Sequence, residues 1–420
     1  MAFFPLLYFE TWLLGWFSRL LLGGSSNVFD VVSLRRPEGR DLEIDQIMSL
    51  AQAKKILIYE GQLWGHHPSY LRMVSRAFLE NGHRVVLAVC EIKQAQELLG
   101  EDLGRQCEWV KASPPHASCL WKELEALTKS QACDELFFNC LDEVLSNTLR
   151  MAAFGIFPPR SLRGRVSGIF VRPKCIDPEI ATFQEKWKQL GLKKLCKVGF
   201  FRKIFVLDER LMERHLLVGN PHLDLVFLPD PWEYDHFPPQ EIARQQWGFT
   251  ASMCVNLFYG TGSRRKGLDI ALAAHLLPQC PPEQHLFCVG KMDPDPALAD
   301  GLKQLVQQGR ATWVNRFVTT EEELSIFAAC DRVLLPYRGH YGSSGILSRA
   351  AAAGKPVIAS DEGLVAWRVK EYELGEVFGQ SQLIKLLIKK SARNLSSNLH
   401  LFSQKSDPKK FRSICCSIYL

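Results

Sequence analysis

Short apolar strands alternate with helical stretches twice over in this chain, and that alternation leaves few folds open. In the first series, segment 56–59 (ILIY) precedes a Gly/His loop. The helix after it sets Leu71, Val74, Phe78 and Leu79 at helical spacing. Asn81 and Gly82 end that helix, and 84–89 (RVVLAV) is predicted as the next strand. Further strands are predicted at 135–138, 167–171, 204–207 and 225–228. Stretch 228–239 (LPDPWEYDHFPP) breaks the rhythm with four prolines and reads as a linker. A second series then opens with strand 254–258, loop 259–267 and a helix carrying Leu268, Leu272 and Leu276 on one face. Strands at 286–290, 312–314, 333–335 and 356–359 follow, the last starting on a proline that a first strand position tolerates.

Strands that alternate with helices form a parallel sheet covered on both faces. Two such series predict an α/β chain of two doubly wound, Rossmann-like domains facing across a cleft, with a ligand at the carboxyl ends of the strands. The length of 420 residues suits two domains of roughly 200 residues each. The expected divisions are an apolar lead-in at 1–50, a first domain at 51–235, a second at 245–380 and a basic helical tail at 381–420.

The net charge of +6 is too small to argue for nucleic acid. Thirteen cysteines, an odd number, show no CxxC pair and no zinc-type spacing. Several sit in apolar runs, as Cys90, Cys254, Cys288 and Cys330 do, so a reducing, cytoplasmic setting is expected. Residues 1–22 are dense in Phe, Trp and Leu, but Glu10 and Arg19 interrupt them and Pro5 lies near their start. That pattern fits neither a spanning helix nor a cleaved signal. It leaves an interfacial membrane helix or a segment packed on the protein's own surface. The tail holds Lys385, Lys389, Lys390, Arg393, Lys405, Lys409, Lys410 and Arg412 against Asp407 alone, a solvated helix face or a contact for anionic lipid.

Two loops of the second series carry chemistry. Segment 259–267 (YGTGSRRKG) joins a strand to a helix. Gly260 and Gly262 allow close approach of a ligand, while Arg264, Arg265 and Lys266 place positive charge at the mouth. This suits a nucleotide diphosphate, although a basic surface turn reads the same; neither a P-loop nor a complete dinucleotide fingerprint is present. Segment 336–345 (PYRGHYGSSG) leads into an alanine-rich helix. It puts Ser343, Ser344 and Gly345 at a helix N-terminus, where amides and hydroxyls hold phosphate oxygens or serve as a plain cap.

In these loops the chain resembles glycosyltransferase family four, a group of GT-B enzymes. The likeness rests on YGTGSRRKG, FCVG at 287–290, VTTEEELSIFAACDRVLLPY at 318–337, YGSSGILSRAAAAGKPVIAS at 341–360 and EGL at 362–364. In the first half it is looser, resting on the opening strand, GHHPSYL, NGHRVV and the linker. The resemblance implies a donor domain for a nucleotide-diphosphate sugar in the second half, a retaining transfer and no bound metal or cofactor. No DxD-like metal motif stands at a strand end. Two glutamates eight positions apart are usual in the family, the first contacting donor-sugar hydroxyls and the second the ribose; here those positions are Tyr341 and Arg349. Thr261 replaces the family's basic residue in the first loop, and Arg264 or Arg265 with Lys266 would take its part.

In the first half, His66 and His67 follow a strand and precede a helix, placed for proton transfer or for loop packing. Asp142, in NCLDE, is the carboxylate expected to meet an acceptor or to start a helix, and His340 flanks the phosphate loop. His83 is expected to be structural, and Trp121, Trp187, Trp232, Trp247, Trp313 and Trp367 to pack in cores. The expectation is sugar transfer from a nucleotide-diphosphate sugar to a lipid, lipid-linked sugar or glycan, with peripheral membrane contact through residues 1–22. A sugar-nucleotide epimerase and a non-catalytic nucleotide-sugar binder share the pattern.

Overall fold

The computed structural model describes residues 34–35, 41–42, 53–180, 182–214, 224–232, 236–379, 382–388 and 395–417. The chain divides into Met1–Ala53 and Lys54–Leu420. In the first part Leu34–Arg35 pairs antiparallel with Asp41–Leu42. The apolar stretch 1–22 and the tail residues Lys389, Lys390 and Arg393 lie outside the described residues. Among those described, no helix is long and apolar enough to cross a membrane.

The body from Lys54 onward holds two parallel sheets. Seven strands form the first: β1 (Lys55–Glu60), β2 (Arg84–Val89), β3 (Glu108–Lys111), β4 (Glu135–Phe138), β5 (Val166–Phe170), β6 (Phe201–Val206) and β7 (Asp224–Phe227), in the order β3-β2-β1-β4-β5-β6-β7. Six form the second: β8 (Cys254–Tyr259), β9 (Gln284–Val289), β10 (Ala311–Val314), β11 (Arg332–Leu335), β12 (Val357–Ser360) and β13 (Gly375–Phe378), in the order β10-β9-β8-β11-β12-β13. Both orders reverse direction after the third strand, so each sheet has a switch point where crossovers diverge and a crevice opens. Strands such as β2 and β4 are buried nearly throughout because helices cover both faces.

Strands β2 and β4 match the predicted segments 84–89 and 135–138, and the other predicted strands differ by one to three residues at an end. Pro356 stands just before β12, and its carbonyl accepts the Val333 amide at 3.0 Å. The edge strands β3 and β13 have no counterpart among the predicted strands.

The helices that matter for the site follow β1, β4, β8, β11 and β12. They are α1 (His67–Glu80), α2 (Asp142–Ala153), α4 (Leu268–Leu276), α6 (Gly345–Ala352) and α7 (Gly363–Glu371), with α3 (Phe183–Lys197) beside α2 and α5 (Thr320–Ala329) before β11. The tail is not one continuous solvated face. Its helices α8 (Leu383–Ile388), α9 (Ser396–Lys405) and α10 (Pro408–Cys416) bury apolar sides. Leu383, Leu387, Leu399 and Phe402 join the cores of the second sheet, whereas Phe411, Cys415 and Cys416 join a core of the first. Arg412 pairs with Glu80 of α1 at 2.9 Å, and Lys405 lies 3.9 Å over the Tyr372 ring. The tail therefore straps the two lobes together. All thirteen cysteines are free thiols.

Candidate functional site

The loops at the carboxyl ends of the two sheets meet. Tyr70 of α1 and Ser343 both donate to the buried carboxylate of Asp230, in the proline-rich connection. Tyr341 donates to Asp177 at 3.2 Å. Arg368 of α7, itself buried, bonds Glu209 at 2.6 Å, the Leu207 carbonyl at 2.7 Å and the Ser343 carbonyl at 3.2 Å. The connection between the sheets thus supplies a structural acid as well as a turn.

On the first sheet, β1 and β4 flank the switch point; Glu60 ends β1 and Asn139 follows β4. Glu60 is fully buried and accepts from Asn139 at 2.5 Å and from the Gln62 amide at 2.8 Å, and its Oε2 lies 2.9 Å from His67 Nδ1. His67 Nε2 lies 3.5 Å from Glu143. Burial alone would lower the His67 pKa, but the Glu60 hydrogen bond and the Glu60 and Glu143 charges outweigh it and raise the group. Burial and the Glu60 charge push Glu143 up to about 7, against the pull of His67. Asp142, expected at an acceptor, instead turns to the end of β5. It accepts the Val171 and Arg172 amides at 2.7 and 2.9 Å, so its oxygens hold a loop. Glu143, one residue on, is the carboxylate beside the histidine.

His66 stacks on His67 with ring centroids 4.5 Å apart and remains open to solvent. Trp64, 69% exposed, stands 5.8 Å from the His67 ring. Ligand atoms of His66, His67 and Cys140, and of Glu60, His67 and Glu143, lie within 4.8 Å of one another. The geometry is nevertheless that of a hydrogen-bond relay. His67 Nδ1 is engaged by Glu60, and its Nε2 faces Glu143.

On the second sheet the loops after β8 and β11 lie side by side. Gly267 makes this possible. Its φ is +76°, and an added Cβ would stand 1.7 Å from the Pro336 carbonyl oxygen. The amides of Gly260 and Gly262 donate to Val289 and Lys291 carbonyls at 2.9 and 3.1 Å, so these glycines pin the loop to its neighbour and do not offer those amides to a ligand. Arg264 also turns aside, to Asp295 at 2.7 Å. Arg265 and Lys266 remain. Among the described residues neither pairs with a carboxylate, and Lys266 Nζ lies 4.2 Å from the Tyr337 ring centre. Burial, then the charges of Arg265 and Arg349, push Lys266 down to about 8.

The start of α6 faces the same place. Ser344, at its N-cap position, gives no capping hydrogen bond and lies 3.2 Å from the Tyr337 hydroxyl. Its φ of +59° is unusual for a residue with a side chain. The first helical amides therefore have no side-chain cap from Ser344, although its carbonyl accepts the Leu347 amide at 2.9 Å. The loop before it, with Gly342, is held by Glu362, which accepts the Gly339 amide at 2.7 Å. His340 Nε2 is buried without a hydrogen-bond partner. Burial, then Lys266, Arg265 and Arg172, push that imidazole down to about 4, so it is neutral near pH 7. Arg349 forms an ion pair with Glu323 of α5 at 3.1 Å and lies 4.9 Å from the Trp232 ring centre.

Of the residues singled out from sequence, Arg265, Lys266, His340, Ser344 and Gly345 are brought together. Ser343 and Tyr341 are turned toward the first lobe. Glu60, Asn139, Glu143, Asp177, Asp230 and Arg368 were not foreseen. Glu60 and Asn139 carried one signal, a lone polar residue closing an apolar strand.

No protein-family model and no curated protein matches the sequence. Solved structures do. Anabaena Alr3699/HepE in complex with UDP-glucose aligns at a TM-score of 0.61 over 87% of this chain and 98% of that one, with 17% identity. The chain has the GT-B fold. A glycosyltransferase from Rickettsia africae aligns at 0.61 with 14% identity, covering 87% and 98% of the two chains. WaaG, a glycosyltransferase involved in lipopolysaccharide biosynthesis, aligns at 0.58 with 15% identity, over 86% and 98%.

Proposed function

We propose that the protein transfers a sugar from a nucleotide-diphosphate sugar to an acceptor bound on the first lobe. The observation that carries this reading is a cation without a counterion. Lys266 is pushed toward neutrality beside Arg265, the uncapped start of α6 and the unpartnered His340 nitrogen. A half-buried ammonium without a carboxylate is disfavoured, and a diphosphate would supply the missing charge. Fixed donors of this kind stabilise the charge that grows on a departing diphosphate. The likeness to structures that hold UDP or UDP-glucose supports a nucleotide sugar as donor. The sequence resemblance supports a retaining transfer in a glycosyltransferase of family four.

On the acceptor side we assign Glu143 in place of Asp142. A carboxylate near pKa 7, backed by His67 and Glu60, is suited to exchange a proton with an acceptor hydroxyl near neutral pH. Trp64 offers an exposed ring for a sugar face. Thermal shifts with UDP, GDP and ADP and their sugars test the reading. A ligand at a hundred times its Kd should stabilise by about 2.7 kcal/mol. Absence of any shift with all three nucleotides would overturn it.

A further inference from the structure

A second surface of the first lobe calls for a partner of its own. Helices α2 and α3 pack closely, with Gly191 of α3 set where a Cβ would fall 1.8 Å from the Leu149 carbonyl oxygen. At the outer end of this pair, Phe154 is 70% exposed, Ile156 56% and Phe183 79%, with Met151 and Leu190 also exposed. The Trp187 ring joins the two phenylalanines, 5.2 Å from Phe154 and 6.1 Å from Phe183. Single exposed apolar side chains are ordinary, but a cluster of aromatic ones marks an interaction surface.

The charge on this face identifies the partner. Helix α3 carries Lys186, Lys188, Lys193, Lys194 and Lys197 against the single acid Glu185. Glu185 is neutralised by Lys188 at 2.9 Å, and Lys194 donates to the Ala153 carbonyl at 2.7 Å. Lys186, Lys193 and Lys197 remain exposed. Phe183, Lys186, Leu190, Lys193 and Lys197 recur at steps of three and four, on one outer stripe of the helix. Arg150 and Arg160 are exposed nearby along the chain. Aromatic side chains beside basic ones on an outward helix face suit the interface of an anionic bilayer. A second copy of the same face would set lysine against lysine, which disfavours self-association.

We infer that the Phe154–Trp187–Phe183 face docks the protein on an anionic lipid surface. This inference stands apart from the reading of the donor site. It has a consequence for geometry: α2 starts at Asp142 and Glu143 and ends at Ala153, so the docked face lies about 18 Å, one helix length, from Glu143.

Cosedimentation of the full chain with vesicles tests it, using phosphatidylcholine alone or mixed with phosphatidylglycerol. Binding is expected only to the mixed vesicles, and should weaken as salt rises. The pairs Phe154→Ser with Phe183→Ser, and Lys186→Glu with Lys193→Glu, should each weaken partitioning at least about tenfold. Phe317→Ser, which alters an equally exposed ring on the other lobe, should leave it unchanged. Far-ultraviolet circular dichroism and nucleotide-induced thermal shifts of each variant serve as controls for folding. The proposal fails if the unaltered chain ignores mixed vesicles, or if both paired variants bind them as well as it does. It fails equally if the variants change the mass in light scattering while vesicle binding persists, which would assign the face to a second copy.

Discussion

The two switch points of this molecule each hold a basic side chain, in opposite surroundings. At the first, His67 is enclosed by Glu60, Glu143 and Asn139, and the protein itself supplies the counter-charge. At the second, Lys266 has Arg265 and Arg349 for company and no acid among the described residues. The histidine is satisfied within the protein, and the lysine is not. The difference also sets opposite responses to pH. The folded chain holds protons on His67 and Glu143 that the unfolded chain has released, because both pKa values are raised. Their contribution is therefore present at low pH and declines as pH rises, through about 7 for Glu143. Lys266 runs the other way. Its pKa falls from 10.5 to about 8, so the unfolded chain binds the extra proton and ligand-free stability rises with pH across that window.

The comparison breaks most visibly at Glu60. Glu60→Leu strips His67, Asn139 and the Gln62 amide of their acceptor at once. Denaturant unfolding should show a loss of about 3 kcal/mol, the scale of a broken buried ion pair. Glu60→Gln keeps one acceptor oxygen and should cost less while flattening the decline in stability above pH 6.5 at His67. If Glu60→Leu is neutral, the first site is not self-sufficient and the contrast collapses.

The Lys266 side should behave in the reverse sense. Lys266→Ala is expected to weaken nucleoside-diphosphate binding by about 1.5–3 kcal/mol while leaving the ligand-free melting temperature unchanged or higher. Calorimetric titration against pH sharpens the point. A bound diphosphate holds the proton on Lys266, so affinity should fall as pH rises above about 8. Lys266→Arg should remove that slope, since a guanidinium stays charged. A folded Lys266→Ala protein with full nucleotide affinity would show that the cation answers to something else.

Arg349 is a smaller test of where the donor site ends. Arg349→Glu sets two carboxylates together at Glu323, which also bonds Tyr259. The expected loss is about 1 kcal/mol, recovered in the double variant with Glu323→Arg. Donor preference unchanged in that swap makes the pair structural. A changed preference places the guanidinium against the donor.

The two loops of the second sheet were marked in sequence and the His67 relay of the first was not, for a physical reason. Glycines, serines and consecutive basic residues between a strand and a helix form a local pattern, so YGTGSRRKG and YGSSG stand out unaided, although a basic turn or a plain cap reads the same. The His67 relay needs Glu60, Asn139 and Glu143, which meet only when β1 and β4 lie side by side. Asp230 reaches Ser343 across 113 positions, and Asp177 reaches Tyr341 across 164, separations that local pattern does not encode. Continuous apolar runs marked the central strands, whereas β3 (EWVK) and β13 (GEVF) are short edge strands with charged residues and carry no such run. Asp142 and Glu143 look alike as neighbours at a helix start. Only the placement of the β5 end makes one a loop anchor and the other the partner of a histidine.

The smallest effect concerns Ser344, the point where the open site stores strain. A serine at φ +59° costs roughly 1 kcal/mol more than glycine, because Cβ crowds the backbone there. Its hydroxyl does not cap α6, so helix stability does not explain the residue. What remains is its position between the Tyr337 hydroxyl and the helix start, where under the proposed function it would add a donor for a phosphate oxygen. Ser344→Gly should therefore raise ligand-free stability by about 0.5–1 kcal/mol and weaken nucleotide binding. Ser344→Ala keeps the strained backbone and loses only the hydroxyl, so it should weaken binding without the gain in stability. Differential scanning calorimetry and nucleotide titration on the two variants separate strain from contact. If both bind nucleotide as the unaltered chain does, the serine lies outside the anion site, and Lys266, Arg265 and the α6 amides hold the ligand without it.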